Sequence, residues 1–179
     1  MSGKCECPSE AGSATCELQE TPDVGRCPAC RERGKAVDTA TVKALLSVSL
    51  TEIRPVAYFF CRTAACPTVY FAGTSDQRFT EESLRERVHQ KHPDEEEVPV
   101  CYCFKHTPAS IKAELVHTGR TSVIDDITAG IQAGKCACEI RNPQGSCCLG
   151  NVRAVVQRLA NGDAAGEPLV RRRAEQAGR

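Results

Sequence analysis

The chain has 179 residues, and its 23 Lys+Arg balance 23 Asp+Glu for a formal net charge of +0. That balance excludes a nucleic-acid footprint spread over the whole chain. With 41% hydrophobic residues, only 4% aromatic and no Trp, a large aromatic core is excluded as well. What remains is one domain, or two small modules pinned by metals.

Thirteen cysteines stand out. The number is odd, so a complete disulfide framework would leave one thiol over. Residues 1–23 carry Lys4, Glu6, Glu10, Glu17 and Glu20 without an apolar run, so no signal peptide is expected. No stretch approaches 18 apolar residues, so no membrane span is expected. Together these point to a reducing cytoplasm and metal-bound thiolates.

In chain order, residues 1–23 read as a disordered arm. Its Cys5, Cys7 and Cys16 are either free surface thiols or a soft-metal arm that could hold Cu(I). Residues 24–98 read as a zinc-binding module. Cys27-Pro-Ala-Cys30 is a knuckle, and Thr41–Leu46 is a short helix or strand edge. Val56–Phe60 and Thr68–Phe71 are β-rich runs flanking Cys61-Arg-Thr-Ala-Ala-Cys66, a hairpin whose turn carries two thiols. Knuckle plus thiol-bearing hairpin is the plan of a zinc ribbon, with Cys27, Cys30, Cys61 and Cys66 as ligands. Four thiolates leave no open coordination position, so that site is structural. Thr80 predicts the N-cap of a following helix, with Phe79 stapled on Leu84, and Leu84 and Val88 inward. Residues 90–99 are charged, hold two prolines and read as a linker.

Residues 99–160 read as a helical module. Thr107-Pro108 predicts the N-cap and first position of a helix with Ile111 and Leu115 inward, ended by Gly119. Ser122-x-x-Asp125 resembles a capping box and starts a second helix, with Ile124, Ile127 and Ile131 inward and Gly134 at its end. Asn151 opens a third, with Val152, Val155, Val156 and Leu159 on one face. Residues 161–179 read as a disordered tail. The expected class is therefore α+β, a zinc-ribbon-like β module followed by an all-helical one.

Six thiols lie at the ends of these helices: Cys101 and Cys103, then Cys136, Cys138, Cys147 and Cys148. A C-x-C pair with a second pair far along the chain fits a [2Fe–2S] cluster better than zinc, which usually draws on C-x₂₋₄-C knuckles. By residue chemistry alone, Cys101 and Cys103 combine with either of Cys136/Cys138 and either of Cys147/Cys148. Asn142-Pro-Gln-Gly145 is a turn that can hold these segments together. Four histidines, His89, His92, His106 and His117, could replace a ligand, but the cysteines already suffice. His106 could tune a cluster from beside Cys103, and Arg141 could stabilise charge on its sulfurs.

The run Cys101-Tyr-Cys103-Phe, followed by Cys138-Glu-Ile-Arg-Asn-Pro-Gln-Gly-Ser-Cys147-Cys148-Leu-Gly-Asn-Val, resembles the N-terminal domain family of the copper chaperone CopZ. More distantly it is similar to the bacterioferritin-associated ferredoxins (BFD), which bind a [2Fe–2S] cluster in a small helical fold. The likeness covers about residues 24–160, and Asn-Pro-x-Gly-x-Cys-Cys is its most specific part. It implies zinc at Cys27, Cys30, Cys61 and Cys66. It also implies a [2Fe–2S] cluster at Cys101, Cys103, Cys138 and Cys148, and so favours Cys138 over Cys136 and Cys148 over Cys147. CopZ continues into a βαββαβ copper-transfer domain with its own C-x-x-C, whereas residues 149–179 here hold no cysteine. The expectation is that a separate protein supplies that step.

No Ser-His-Asp set, phosphate loop or paired-carboxylate cleft is visible, so an enzyme is the weakest class. Two functions are weighed. One is redox support for copper handling, by Cu(II) reduction and Cu(I) chaperoning, with copper ions or a copper-transfer protein as partners. The other is a ferredoxin-like electron carrier docking to a redox partner protein. Neither nucleic acid nor membrane is expected as partner.

Overall fold

Residues 25–162 are described in the computed structural model of the chain. The N-terminal half is built on a four-stranded antiparallel meander, β1 (Lys35–Val37), β2 (Tyr58–Phe60), β3 (Thr68–Ala72) and β4 (Arg78–Thr80), in the spatial order β1-β2-β3-β4. The aromatic and β-branched runs predicted as strands form the central hairpin, pairing Tyr58 with Ala72, Phe59 with Phe71 and Phe60 with Tyr70. β3 is buried along its whole length. Strand alternation explains why: Tyr58, Phe60, Tyr70 and Ala72 pack with Val42, Leu46 and Val88, whereas Phe59 and Phe71 stack on the other side at 5.6 Å beside the zinc-type cysteines. Gly34 is required under that stack, since a Cβ there would lie 2.6 Å from the Phe71 ring.

The alternative left open at residues 41–46 resolves as helix α1 (Thr39–Leu45), capped by the Asp38 carboxylate, which accepts from the Ala40 amide at 2.7 Å. The helix expected after Thr80 does not form. Only a 3₁₀ turn, Glu81–Ser83, follows, and the Thr80 side chain makes no capping bond. The backbone is recruited instead by α1 and its exit: Leu84 bridges Leu46, and the Arg85 amide donates to the Leu45 carbonyl at 2.9 Å. Val88 is nonetheless fully buried.

Residues 90–99 do not form a free tether. Val98 is buried, the Ala109 amide donates to Glu96 O, and His92 lies between Glu81 and Glu95. The C-terminal half holds α2 (Pro108–Thr118), α3 (Val123–Gln132), the short α4 (Cys138–Arg141) and α5 (Leu149–Asn161). α2 starts as expected, and Thr107 and Ser110 form a capping box. It ends at Gly119 in the left-handed region, φ 79°. At α3 the expected box is absent; Ser122 Oγ instead donates to Asp126 Oδ2 at 2.7 Å. Ile127 is buried and Ile124 partly so. Ile131 is 38% exposed. α5 begins two residues before Asn151, with Cys148 as its N-cap.

Ile111, Leu115, Val123, Ile127, Val152, Val155 and Leu159 form one aliphatic core around Cys101, Cys138 and Cys148. Each such buried side chain contributes about 1.5–3 kcal/mol. The halves meet where α1 packs on α4. The Tyr70 hydroxyl donates to Pro143 O at 2.7 Å, Thr41 Oγ1 to Glu139 O at 2.5 Å, and Lys35 Nζ to Gln144 O and Ser146 Oγ.

Candidate metal centres

The knuckle is fixed by its backbone. Cys27 N donates to Glu32 O at 2.9 Å, Arg31 N donates to Cys27 O at 2.8 Å, and Arg31 sits in the left-handed region at φ 64°. The β2–β3 hairpin then carries Cys61 and Cys66 to it. All four sulfurs lie within 4.8 Å of one another. Cys27 and Cys66 are 3.8 Å apart, and Cys30 and Cys61 are 3.6 Å apart. A tetrahedral zinc with Zn–S bonds of about 2.3 Å sets its sulfurs about 3.8 Å apart, so this donor set fits the ion. Burial pushes Cys61 up to about 12 and raises Cys66. Burial also works against Cys30, but the Thr63 hydroxyl, the Glu32 backbone and the neighbouring thiols outweigh it and bring Cys30 down to about 6. One thiolate is thus preformed before metal arrives.

The second centre uses the same local device. Val100 N and Cys101 N donate to His106 O at 2.9 and 3.2 Å, closing a turn in which Lys105 is left-handed at φ 59°. Tyr102, between the two thiols, is buried. Its hydroxyl accepts from His89 N at 2.9 Å and donates to Arg87 O at 2.8 Å. Phe104 lies on Gly130 of α3, where a Cβ would come within 2.3 Å of the ring.

Facing this turn, α4 and α5 bring in the other cysteines. Cys103 lies 3.7 Å from Cys138 and 3.8 Å from Cys136, which are themselves 3.3 Å apart. Cys148 lies against Cys101 and Cys138. Cys103, Cys136 and Cys138 form one tight set within 4.8 Å of one another, and Cys101 and Cys148 adjoin it through the contact of Cys148 with Cys138. Cys147 is exposed, pointing away as one of two adjacent cysteines must. The Asn142–Gly145 turn forms as expected: Gly145 N donates to Asn142 O, and the buried Asn142 donates through Nδ2 to Ser146 O at 2.7 Å. The sequence reading placed α4 in a loop, since four residues carry no periodic signal. The spacing left Cys136 and Cys138 as alternatives for one ligand position, and the structure puts both within 3.8 Å of Cys103.

The thiols polarise one another. Hydrogen bonding from Cys148 brings Cys101 down to about 7 and, against burial, Cys138 down to about 5. Cys148 itself is driven upward by Cys101 and Cys138, while burial raises Cys103 to about 12 and also raises Cys136. The Ala137 amide donates to Cys103 Sγ at 3.4 Å. Clustered buried thiols, two of them made more acidic and one with an amide donor, suit a thiolate-ligated iron–sulfur group.

Of the remaining candidates, His106 contributes backbone to the turn, His92 binds Glu81 and Glu95, His89 is buried, and His117 lies in the last turn of α2. Arg141 is exposed at the end of α4. Cys5, Cys7 and Cys16 lie outside the described residues. Among those residues no helix is long and apolar enough to cross a membrane.

A four-thiolate knuckle-and-hairpin site, joined to a second thiol cluster at helix ends, defines a small cysteine-ligated metal-binding protein. Comparison with known proteins narrows this. Residues 24–85 match the zf_CopZ family, described as a zinc binding domain. The copper chaperone CopZ of Archaeoglobus fulgidus is 32% identical over 123 residues, covering 69% of this chain and 57% of that protein. The X-ray structure of the A. fulgidus CopZ N-terminal domain matches with a TM-score of 0.60 and 30% identity, over 73% of this chain and 96% of that one. The chain belongs to the CopZ N-terminal domain family. It spans little more than half the length of the full-length relative it matches.

Proposed function

We propose that this protein supports copper handling in the cytoplasm as a zinc-braced [2Fe–2S] protein of BFD-like design. The observation that carries the reading is the concentration of thiols at the second centre, where five converge and four suffice for a cluster. Cys101, Cys103, Cys138 and Cys148 would hold the [2Fe–2S] group, and zinc would sit at Cys27, Cys30, Cys61 and Cys66. When bound, the cluster supplies one electron at a time, drawn from a redox partner protein, which is what Cu(II) needs to become Cu(I).

The chain's own residues do the rest. The aliphatic core around Cys101, Cys138 and Cys148 excludes water. The Ala137 amide stabilises negative charge on Cys103. Soft thiols outside the four-ligand sets, Cys136, Cys147 and those of the N-terminal arm, favour Cu(I) over Cu(II), and a copper-transfer protein would receive the ion from them. Full thiolate coordination at both centres leaves no position for a substrate, which supports a carrier rather than an enzyme.

The test is anaerobic. Dithionite-reduced protein is mixed with Cu(II), and cluster reoxidation is followed beside Cu(I) trapped by a chelator. Stoichiometric Cu(I), held by the wild type and not by a Cys5/Cys7/Cys16 triple serine variant, is the expected result. If Cu(II) destroys the cluster and no Cu(I) is held, the copper reading falls and the electron-carrier reading replaces it. The ligand choice has its own test: Cys136→Ser should leave the visible absorption in place, and Cys138→Ser should bleach it. The reverse pattern would make Cys136 the ligand.

A further inference from the structure

Outside both centres, one pocket of about 320 Å³ opens between the zinc hairpin, the segment after Arg87 and α5. Arg62, immediately after Cys61, and Arg158, from α5, bring two guanidinium groups to its lining, and no acidic residue lines it. Between them lie His89, Gln90 and Asn151. His89 is only 8% exposed, and its Nδ1 is buried with no hydrogen-bond partner. Gln90 Oε1 is likewise buried and unpartnered, although its amide nitrogen is held by Gln144 Oε1 at 3.2 Å. Buried polar atoms in folded proteins are nearly always paired, so two orphans in the lining of one cationic pocket call for a partner. The acidic partner of Arg158, Asp94, stands 3.5 Å off and is 95% exposed, a weak competitor.

We propose that this pocket binds hydrogen phosphate as the free ion. Guanidinium groups grip phosphate oxygens in a planar fork. Gln90 Oε1 can only accept, so its partner must donate, and a protonated phosphate oxygen does so where a carboxylate or sulfate oxygen at neutral pH does not. Burial, with Arg158 adding to it, lowers the proton affinity of His89. The neutral ring can then offer Nδ1 as donor or acceptor by choice of tautomer. The pocket walls come from the loop beside the zinc ligands and from the helix capped by Cys148, so an occupied pocket would tie the two centres together.

The zinc-loaded full chain, in phosphate-free buffer at fixed ionic strength, is titrated with inorganic phosphate, glycerol 1-phosphate and sulfate, following the His89 ring nitrogens by NMR. We expect saturable one-site binding of inorganic phosphate, at least about ten-fold tighter than sulfate. Arg158→Gln should weaken it by a similar factor with zinc content unchanged. The ester, mostly a dianion with no P–OH at neutral pH, should bind more weakly than the ion, and tighter binding of the ester would overturn the proposal. Equal response to sulfate and phosphate, or a phosphate response that Arg158→Gln leaves unaltered, would overturn the proposal and leave only diffuse surface charge.

Discussion

The two metal centres share a turn and differ in what stands opposite it. In each, a thiol-bearing loop is closed by an isolated antiparallel bridge, Arg26 to Arg33 or Cys101 to His106, with a basic residue in the left-handed region. Opposite the first stands a hairpin, whose register is fixed by strand pairing and which delivers two cysteines to four places. Opposite the second stand two helix ends joined by a turn, which deliver three cysteines where two are wanted. A sheet fixes each side chain's face residue by residue. Helix ends set direction more loosely and leave room for an extra thiol. The first set holds as many thiols as a tetrahedral ion takes, and the second holds one more than the four proposed for its cluster.

The harshest way to break the comparison is Cys61→Ser. It should abolish zinc binding and lower the melting temperature by about 10 °C or more, because Cys61 holds the hairpin to the knuckle. A variant that keeps its zinc and its melting temperature would contradict the assignment. The damage should not stop at the first half. Tyr70→Phe removes the hydroxyl that reaches Pro143 O and leaves a buried carbonyl short of its donor, which should cost about 1–2 kcal/mol. The visible spectrum should report that change as well as zinc stability; an unaltered spectrum would mean that the centres are independent.

Acidity separates the thiols within the zinc site. Zinc needs thiolates, so binding releases protons from whichever thiols still hold them. Cys30, held near 6, is already a thiolate at pH 8 and a thiol at pH 5. Cys61 and Cys66, raised by burial, are thiols at both. Calorimetry in buffers of different ionisation enthalpy should therefore count about one more proton per zinc from Cys30 at pH 5 than at pH 8. Affinity should fall more steeply with acidity below pH 6. The same proton count at both values would refute the preformed thiolate. Smallest of all, Arg31→Gly should relieve the left-handed backbone and raise stability by up to about 1 kcal/mol. A loss of stability would show that the Arg31 side chain holds the knuckle together.

Much of this was legible where the signal was local. The zinc set could be read because each cysteine pair is closely spaced and the second lies between two aromatic runs. The α2 and α5 helices followed from their period and, at α2, from Thr107, Pro108 and Gly119. What failed to show was decided across the chain. β1 and β4 are three residues each and exist by pairing with β2 and β3. The segment after Thr80 had a cap and a staple in sequence, yet contact with Leu45 and Leu46 claimed its backbone. Spacing alone could not decide between Cys136 and Cys138, and both lie within 3.8 Å of Cys103, more than 30 residues away. The packing of α1 on α4 joins residues about 98 apart, beyond the reach of any periodicity.

That packing also bears on time. A chain made from its N-terminus completes the sheet and α1 before residues 138–148 emerge. The Tyr70 hydroxyl and Thr41 Oγ1 are then in place to receive the Glu139 and Pro143 carbonyls as they arrive. Zinc loading would thus come first and template the later loop, and a cell starved of zinc would accumulate chains whose second thiol cluster is left unassembled.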